Sequence, residues 1–139
     1  MKIKIVLIED DEILSKVIKE ELEEANFKIY SALDGEKGLE MVKAKKPNLV
    51  LLDLMLPKMH GFEVLENLKK SLETKQIPVM ILTMLGSDDD IKKGLQLGAN
   101  DYIVKSQHAV GEIVDTVKDF FAKESNPAGK KSAKNNEEK

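Results

Sequence analysis

The chain contains no cysteine. Disulfides, thiolate metal sites and thiol catalysis are thereby excluded, and a reducing compartment is the natural setting. Neither sign of charge dominates: 22 basic residues stand against 25 acidic ones, a formal net charge of −3. No global field therefore draws the chain to nucleic acid or to a membrane surface, and any partner must be recognised locally. Long hydrophobic runs are also missing. The apolar stretch before Glu9 is too short for a signal peptide or a span, so a cytoplasmic protein without a membrane partner is expected. No phosphate-cradling glycine loop follows that stretch, which disfavours a Rossmann-type nucleotide binder. With 139 residues, 42% of them hydrophobic, the chain can bury one ordinary core and is too short for two full domains.

What is present alternates. Ile3, Ile5, Val6, Leu7 and Ile8 form a short, β-branched apolar run with no room for a helical stripe, the pattern of a strand buried on both faces. From Glu12 onward Leu14, Val17, Ile18, Leu22 and Ala25 recur at helical spacing, with Lys16, Lys19, Glu20, Glu23 and Glu24 on the other side. The same reading predicts strands over 27–32, 49–52, 79–82 and 102–104, and helices over 35–45, 61–72, 89–97 and 110–122. Phe62, Val64, Leu65 and Leu68 should face inward on the third helix, and Ile113, Val114, Val117, Phe120 and Phe121 should share one face of the last. Five strand–helix units in strict alternation predict an α/β fold, a parallel sheet with helices on both sides. Residues 1–124 would make the folded domain. Residues 125–139 carry four lysines, two glutamates and almost nothing apolar, and are expected to be a disordered polar tail.

In an open parallel sheet, ligands gather beyond the carboxyl ends of the strands. There the first strand delivers Glu9, Asp10 and Asp11, the third Asp53, the fourth Thr83 and the fifth Lys105. Singly, each has an ordinary role as a cap, a turn former or a solvated charge. Together they are crowded acids, which repel one another unless a cation neutralises them, and all-oxygen ligation suits Mg²⁺, with Mn²⁺ as a substitute. Carboxylates, an amine and a hydroxyl around a metal point to phosphoryl transfer, whose transition state needs positioning and charge neutralisation above all. Asp53 is the expected nucleophile, Glu9 and Asp10 the metal holders, and Lys105 and Thr83 the groups that meet other phosphoryl oxygens.

The motifs VLIEDD at 6–11, LLDLMLPKMHG at 51–61, ILT at 81–83 and GANDYIVK at 98–105 resemble, as an ordered set, those of bacterial response-regulator receiver domains. The resemblance spans residues 3 to about 122 and implies a doubly wound, flavodoxin-like sheet of order 2-1-3-4-5 flanked by five helices. It implies a single-domain signalling switch, chemotaxis-regulator-like in architecture, in which a histidine kinase or histidine phosphotransfer protein phosphorylates Asp53. It assigns the main-chain carbonyl of Met55 to the metal shell together with Glu9, Asp10 and Asp53. Thr83 becomes the switch hydroxyl, Tyr102 the switch aromatic and Lys105 the phosphate contact. An output protein would bind the face built from the fourth helix, fifth strand and fifth helix, and phosphorylation-dependent dimerisation is left open.

On this reading the chain is not an enzyme beyond catalysing its own phosphoryl uptake and hydrolysis. The alternatives are the receiver part of a larger transcription regulator and an aspartyl-nucleophile phosphatase. The latter needs an acid two residues after the nucleophile, where this chain has Met55. No helix-turn-helix pattern or basic, aromatic-rich module follows residue 123, so direct nucleic-acid binding is not expected. Three departures from the family pattern stand out: Lys105-Ser106 in place of Lys-Pro, His60 in place of an acid, and Met84 in place of a small residue. Without proline a cis bond costs about 2.5–4 kcal/mol, so a trans Lys105–Ser106 peptide is expected.

Overall fold

The computed structural model describes residues 2–125. Five parallel strands, β1 (Lys4–Ile8), β2 (Lys28–Ala32), β3 (Leu49–Leu52), β4 (Val79–Thr83) and β5 (Asp101–Val104), form one sheet of order β2-β1-β3-β4-β5. Five α-helices alternate with them: α1 (Glu12–Glu24), α2 (Gly35–Lys45), α3 (Gly61–Lys70), α4 (Asp88–Gln96) and α5 (Val110–Ser125). A short 3₁₀ turn over Lys105–Gln107, absent from the sequence reading, joins β5 to α5.

Successive strand residues face opposite ways, and that pleat builds two apolar cores. Ile5, Leu7, Leu49, Leu51, Met80 and Leu82 pack with Ile18 and Leu22 of α1 and with Ile113, Val114 and Val117 of α5. Val6, Ile8, Val50, Leu52, Val79 and Ile81 pack on the other side with Val42 of α2 and with Phe62, Val64, Leu65 and Leu68 of α3. Both faces are covered, which is why the inner strands β1, β3 and β4 read as almost wholly apolar runs, whereas the edge strands β2 and β5 keep Lys28, Ser31 and Asp101.

The boundaries shift where a cap decides them. α4 begins at Asp88, one residue early, because the Ser87 hydroxyl accepts from the Asp90 N–H at 3.1 Å. α3 stops at Lys70 rather than Leu72, and Leu72 is 81% exposed in the turn that follows. Val17, expected on the inner stripe of α1, is instead exposed. Ser125 closes α5, and the rest of the expected tail, 126–139, lies outside the described residues. No described peptide bond is cis, so Lys105–Ser106 is trans as expected.

Candidate functional site

Strand register assembles the site. Ile8 pairs with Leu52, and the Asp53 N–H donates to the Ile8 carbonyl at 2.9 Å, so Glu9 and Asp53 leave adjacent strands side by side. The chain turns from β1 out to β2 on one side and returns past β1 to β3 on the other. These two acids therefore stand at the topological switch point. Across β4, Thr83 pairs with Val104, and the next residue of the chain is Lys105.

Asp53 is 5% exposed and firmly oriented. Its Oδ1 accepts from the N–H groups of Leu54 at 2.7 Å and Met55 at 3.3 Å, while Oδ2 lies 3.0 Å from the Lys105 ammonium. Lys105 also pairs with Glu9 Oε1 at 2.5 Å. That contact lacks hydrogen-bond alignment, so the fully buried oxygen is matched in charge without a directed bond. Glu9 Oε2 accepts from the Asp11 N–H at 3.1 Å.

Burial pushes the Glu9 carboxyl up to about 7; Lys105 pulls it down, and the Asp53 charge raises it again. Burial alone would lower the Lys105 ammonium, but Glu9 and Asp53 outweigh it, and its pKa rises. The Glu9 shift implies a pH dependence of stability. Above about 4.5 the unfolded chain releases the Glu9 proton, whereas the folded chain holds it until about 7, so stability falls as pH climbs through that window. Thermal unfolding of metal-free protein should follow this slope, and Glu9→Gln should flatten it. An equal slope in the variant would remove Glu9 as the cause.

One oxygen each from Glu9, Asp10 and Asp53 lies within 4.8 Å of the others. Three carboxylate oxygens gathered this closely, with Glu9 Oε1 buried and without a directed bond, fit a hard divalent cation. Asp11, the third acid of the run, belongs elsewhere: it caps α1, accepting from the Ile13 and Leu14 N–H groups at 3.1 Å each.

Thr83 is fully buried at the end of β4, and its Oγ1 accepts from the Leu85 N–H at 3.4 Å. Tyr102 is half-buried and donates its hydroxyl to the Leu85 carbonyl at 2.5 Å. Burial first, then the charges of Asp90 and Asp53, push its phenol up to about 12. It remains a donor across the ordinary pH range. The loop after Thr83 is thus tied at Leu85 to both Thr83 and Tyr102. Met55 and Met84 stand exposed beside this centre.

Two capping roles at this edge escaped the sequence reading, that of Asp34 and that of His60, which stands in the sequence only as a departure from the family pattern. Asp34 accepts from the Lys37 N–H at 2.8 Å as the cap of α2 and pairs with Lys58 at 3.7 Å. His60 caps α3 through Nδ1, which accepts from the Phe62 N–H at 3.0 Å. An Asp directly before a Gly that opens a helical pattern was the available signal for the first.

The family profile described as response regulator receiver domain matches residues 5–118. The chain belongs to that family. This receiver domain is 40% identical over 102 residues to the DNA-binding dual master transcriptional regulator RpaA of Synechocystis sp., which covers 73% of this chain and 42% of that protein. To the transcriptional regulatory protein CpxR of Escherichia coli it is 42% identical, with the same two coverages. It thus spans about two fifths of the length of these relatives. Among solved structures, the BeF3-activated receiver domain of Klebsiella pneumoniae RstA superposes with a TM-score of 0.75 at 31% identity, covering 83% of this chain and 95% of that one. The Mn(2+)-bound form of response regulator Rcp1 gives 0.74 at 30% identity, covering 85% and 93%. A CheY-like receiver domain of Methanospirillum hungatei, 24% identical, gives 0.82 and shares the fold, covering 91% and 99%.

One expectation is corrected. Receiver domains are phosphoacceptors, and membership of their family gives no ground for classing this chain as a non-enzyme. Among the described residues, no helix is long and apolar enough to cross a membrane.

Proposed function

We propose that this receiver domain accepts a phosphoryl group on Asp53 from a phosphohistidine of a histidine kinase or histidine phosphotransfer protein. The observation that carries this reading is the geometry of Asp53. Its carboxylate is buried and fixed through Oδ1, and Oδ2 meets Lys105 at 3.0 Å. Oδ2 attacks phosphorus, the phosphorus–nitrogen bond breaks, and the donor imidazole, already protonated on its other ring nitrogen, leaves as a neutral group. Lys105 moves from the carboxylates to a phosphoryl oxygen, and Thr83 donates its hydroxyl to another. Glu9, Asp10, Asp53 and the Met55 main-chain carbonyl would hold Mg²⁺ or Mn²⁺, which neutralises the crowded acids and the incoming phosphoryl charge. Incubation with Mg²⁺ and acetyl phosphate tests the reading: intact mass should rise by one phosphoryl group, and no rise would defeat it.

Because Leu85 is bonded to both Thr83 and Tyr102, recruiting the Thr83 hydroxyl to phosphate disturbs a shared loop next to α4 and β5. The α4–β5–α5 face is accordingly the surface offered to an output protein or to a second copy of the chain. The relatives favour a transcriptional output, with this domain as its receiver part.

Asp10 is exposed and lies in the acidic cluster, so Asp10→Asn should weaken Mg²⁺ binding while the metal-free melting temperature holds or rises. A clear drop in that temperature would argue against a metal role.

Loss of phosphate should be slow relative to receivers with polar side chains at the site. Hydrolysis needs a water in line with the bond to Asp53, and the positions that could orient it carry Met55, Met84 and Leu85. Met55→Asn or Leu85→Glu should shorten the lifetime several-fold in a quenched time course. Unchanged decay in both would refute this account of the mouth.

A further inference from the structure

The described methionines fall into distinct environments. Met80, on β4, is 1% exposed, and Met41 and Met59 are half-buried against the core beneath α2 and α3. Met55 and Met84 are 55% and 58% exposed. Met55 sits on backbone anchored to Asp53, and Met84 directly follows Thr83 at the end of β4. The Met55 N–H donates to Asp53 Oδ1 at 3.3 Å, and Met84 stands in the chain between Thr83 and Leu85, whose N–H reaches Thr83 Oγ1 at 3.4 Å. With no cysteine in the chain, no thiol intercepts an oxidant before these thioethers do.

We infer that Met55 and Met84 form a peroxide-oxidised modification site that sets the lifetime of the phosphorylated domain. This rests on Asp53 as the phosphoacceptor. Each thioether sulfur attacks one oxygen of hydrogen peroxide; the oxygen–oxygen bond breaks, a sulfur–oxygen bond forms, and water leaves. Sulfur is oxidised by two electrons and the peroxide is reduced by two. The product is a sulfoxide, polar and reducible by sulfoxide reductases. Its oxygen is a hydrogen-bond acceptor placed where the parent side chain was apolar. A water approaching the phosphorus gains a partner that orients it, and an apolar rim becomes a wet one. Oxidation therefore shortens the phosphorylated state, and enzymatic reduction restores it.

The test treats the full chain with hydrogen peroxide and maps sulfoxides by peptide mass. Met55 and Met84 should oxidise several-fold faster than Met80, whose protection also reports an intact fold. The oxidised protein, phosphorylated with acetyl phosphate and Mg²⁺, should lose phosphate several-fold faster than untreated protein. The double variant Met55→Leu, Met84→Leu should decay at one rate before and after peroxide, whatever that rate is. Equal oxidation of Met80, unchanged decay after oxidation, or a double variant that stays peroxide-sensitive would each overturn the inference. If untreated protein takes up no phosphoryl group at all, the phosphoacceptor reading falls and this inference falls with it. Uptake with decay indifferent to oxidation sinks only the inference.

Discussion

Asp53→Asn, incubated with Mg²⁺ and acetyl phosphate, should gain no phosphoryl mass, a loss to background. The carboxamide retains the oxygen that the Leu54 and Met55 N–H groups hold, so the loop should keep its course. It lacks the anionic oxygen that faces Lys105 at 3.0 Å and cannot form an acyl phosphate. No neighbouring acid substitutes for it. Glu9 is 1% exposed and committed to Lys105, and Asp10 lies out in solvent. The variant carries a second signature. The Asp53 charge is one of the causes that raise Glu9, so removing it should let Glu9 ionise at lower pH, visible by NMR titration. A full mass gain in the variant would move the phosphorylation site elsewhere. A Glu9 titration unmoved by the substitution would contradict the electrostatic coupling of the pair.

A large loss of stability is expected from Gly61→Ala. A Cβ at that position would stand 2.4 Å from the Asp53 carbonyl oxygen and 2.5 Å from the Leu54 Cα. Both are backbone atoms, which cannot swing aside as a side chain can. The loop carrying Asp53 must move, at a cost of about 1–3 kcal/mol or more. Chemical denaturation should show that loss, and phosphoryl uptake should slow because Asp53, the proposed acceptor, is displaced from Lys105. Gly111 supplies the control, since an added Cβ there meets nothing within 4 Å. Gly111→Ala, within α5, should be neutral or stabilising by about 0.5–1 kcal/mol. Similar behaviour of the two variants would mean that helix propensity, not the close approach to Asp53, decides the outcome.

How much of this was legible in the sequence depended on the kind of force involved. Buried strands announced themselves through unbroken runs such as Leu49–Leu52, because two covered faces demand apolar residues at every position. The placement of Glu9, Asp53, Thr83 and Lys105 at strand ends was equally readable, since a charged or polar residue terminates such a run. The strand order came from likeness to the family, because parallel strands of similar composition do not reveal their neighbours. Val17 was misassigned because its place at the margin of the α1 stripe is decided by what lies opposite, which helical spacing alone does not show. Neither the Leu85 carbonyl that receives Tyr102 nor the Asp53 carbonyl that crowds Gly61 had any signal in the sequence, for every residue has the same carbonyl. Capping by Asp11, Asp34 and His60 fell between these cases. The chemistry suited the role, but nothing in the residue types told a cap from a ligand.

Ile5 and Leu7 look one way from β1, and Val6 and Ile8 the other, so the sheet partitions the interior into compartments that meet through the strands. A substitution on the α1 and α5 side can be compensated by its own neighbours without consulting the residues under α2 and α3. The strand ends that present Glu9 and Asp53 belong to the partition itself and keep their height whichever compartment is being rebuilt. Either outer surface can therefore be recut for a new partner, one side at a time, while Glu9 and Asp53 keep their places at the strand ends.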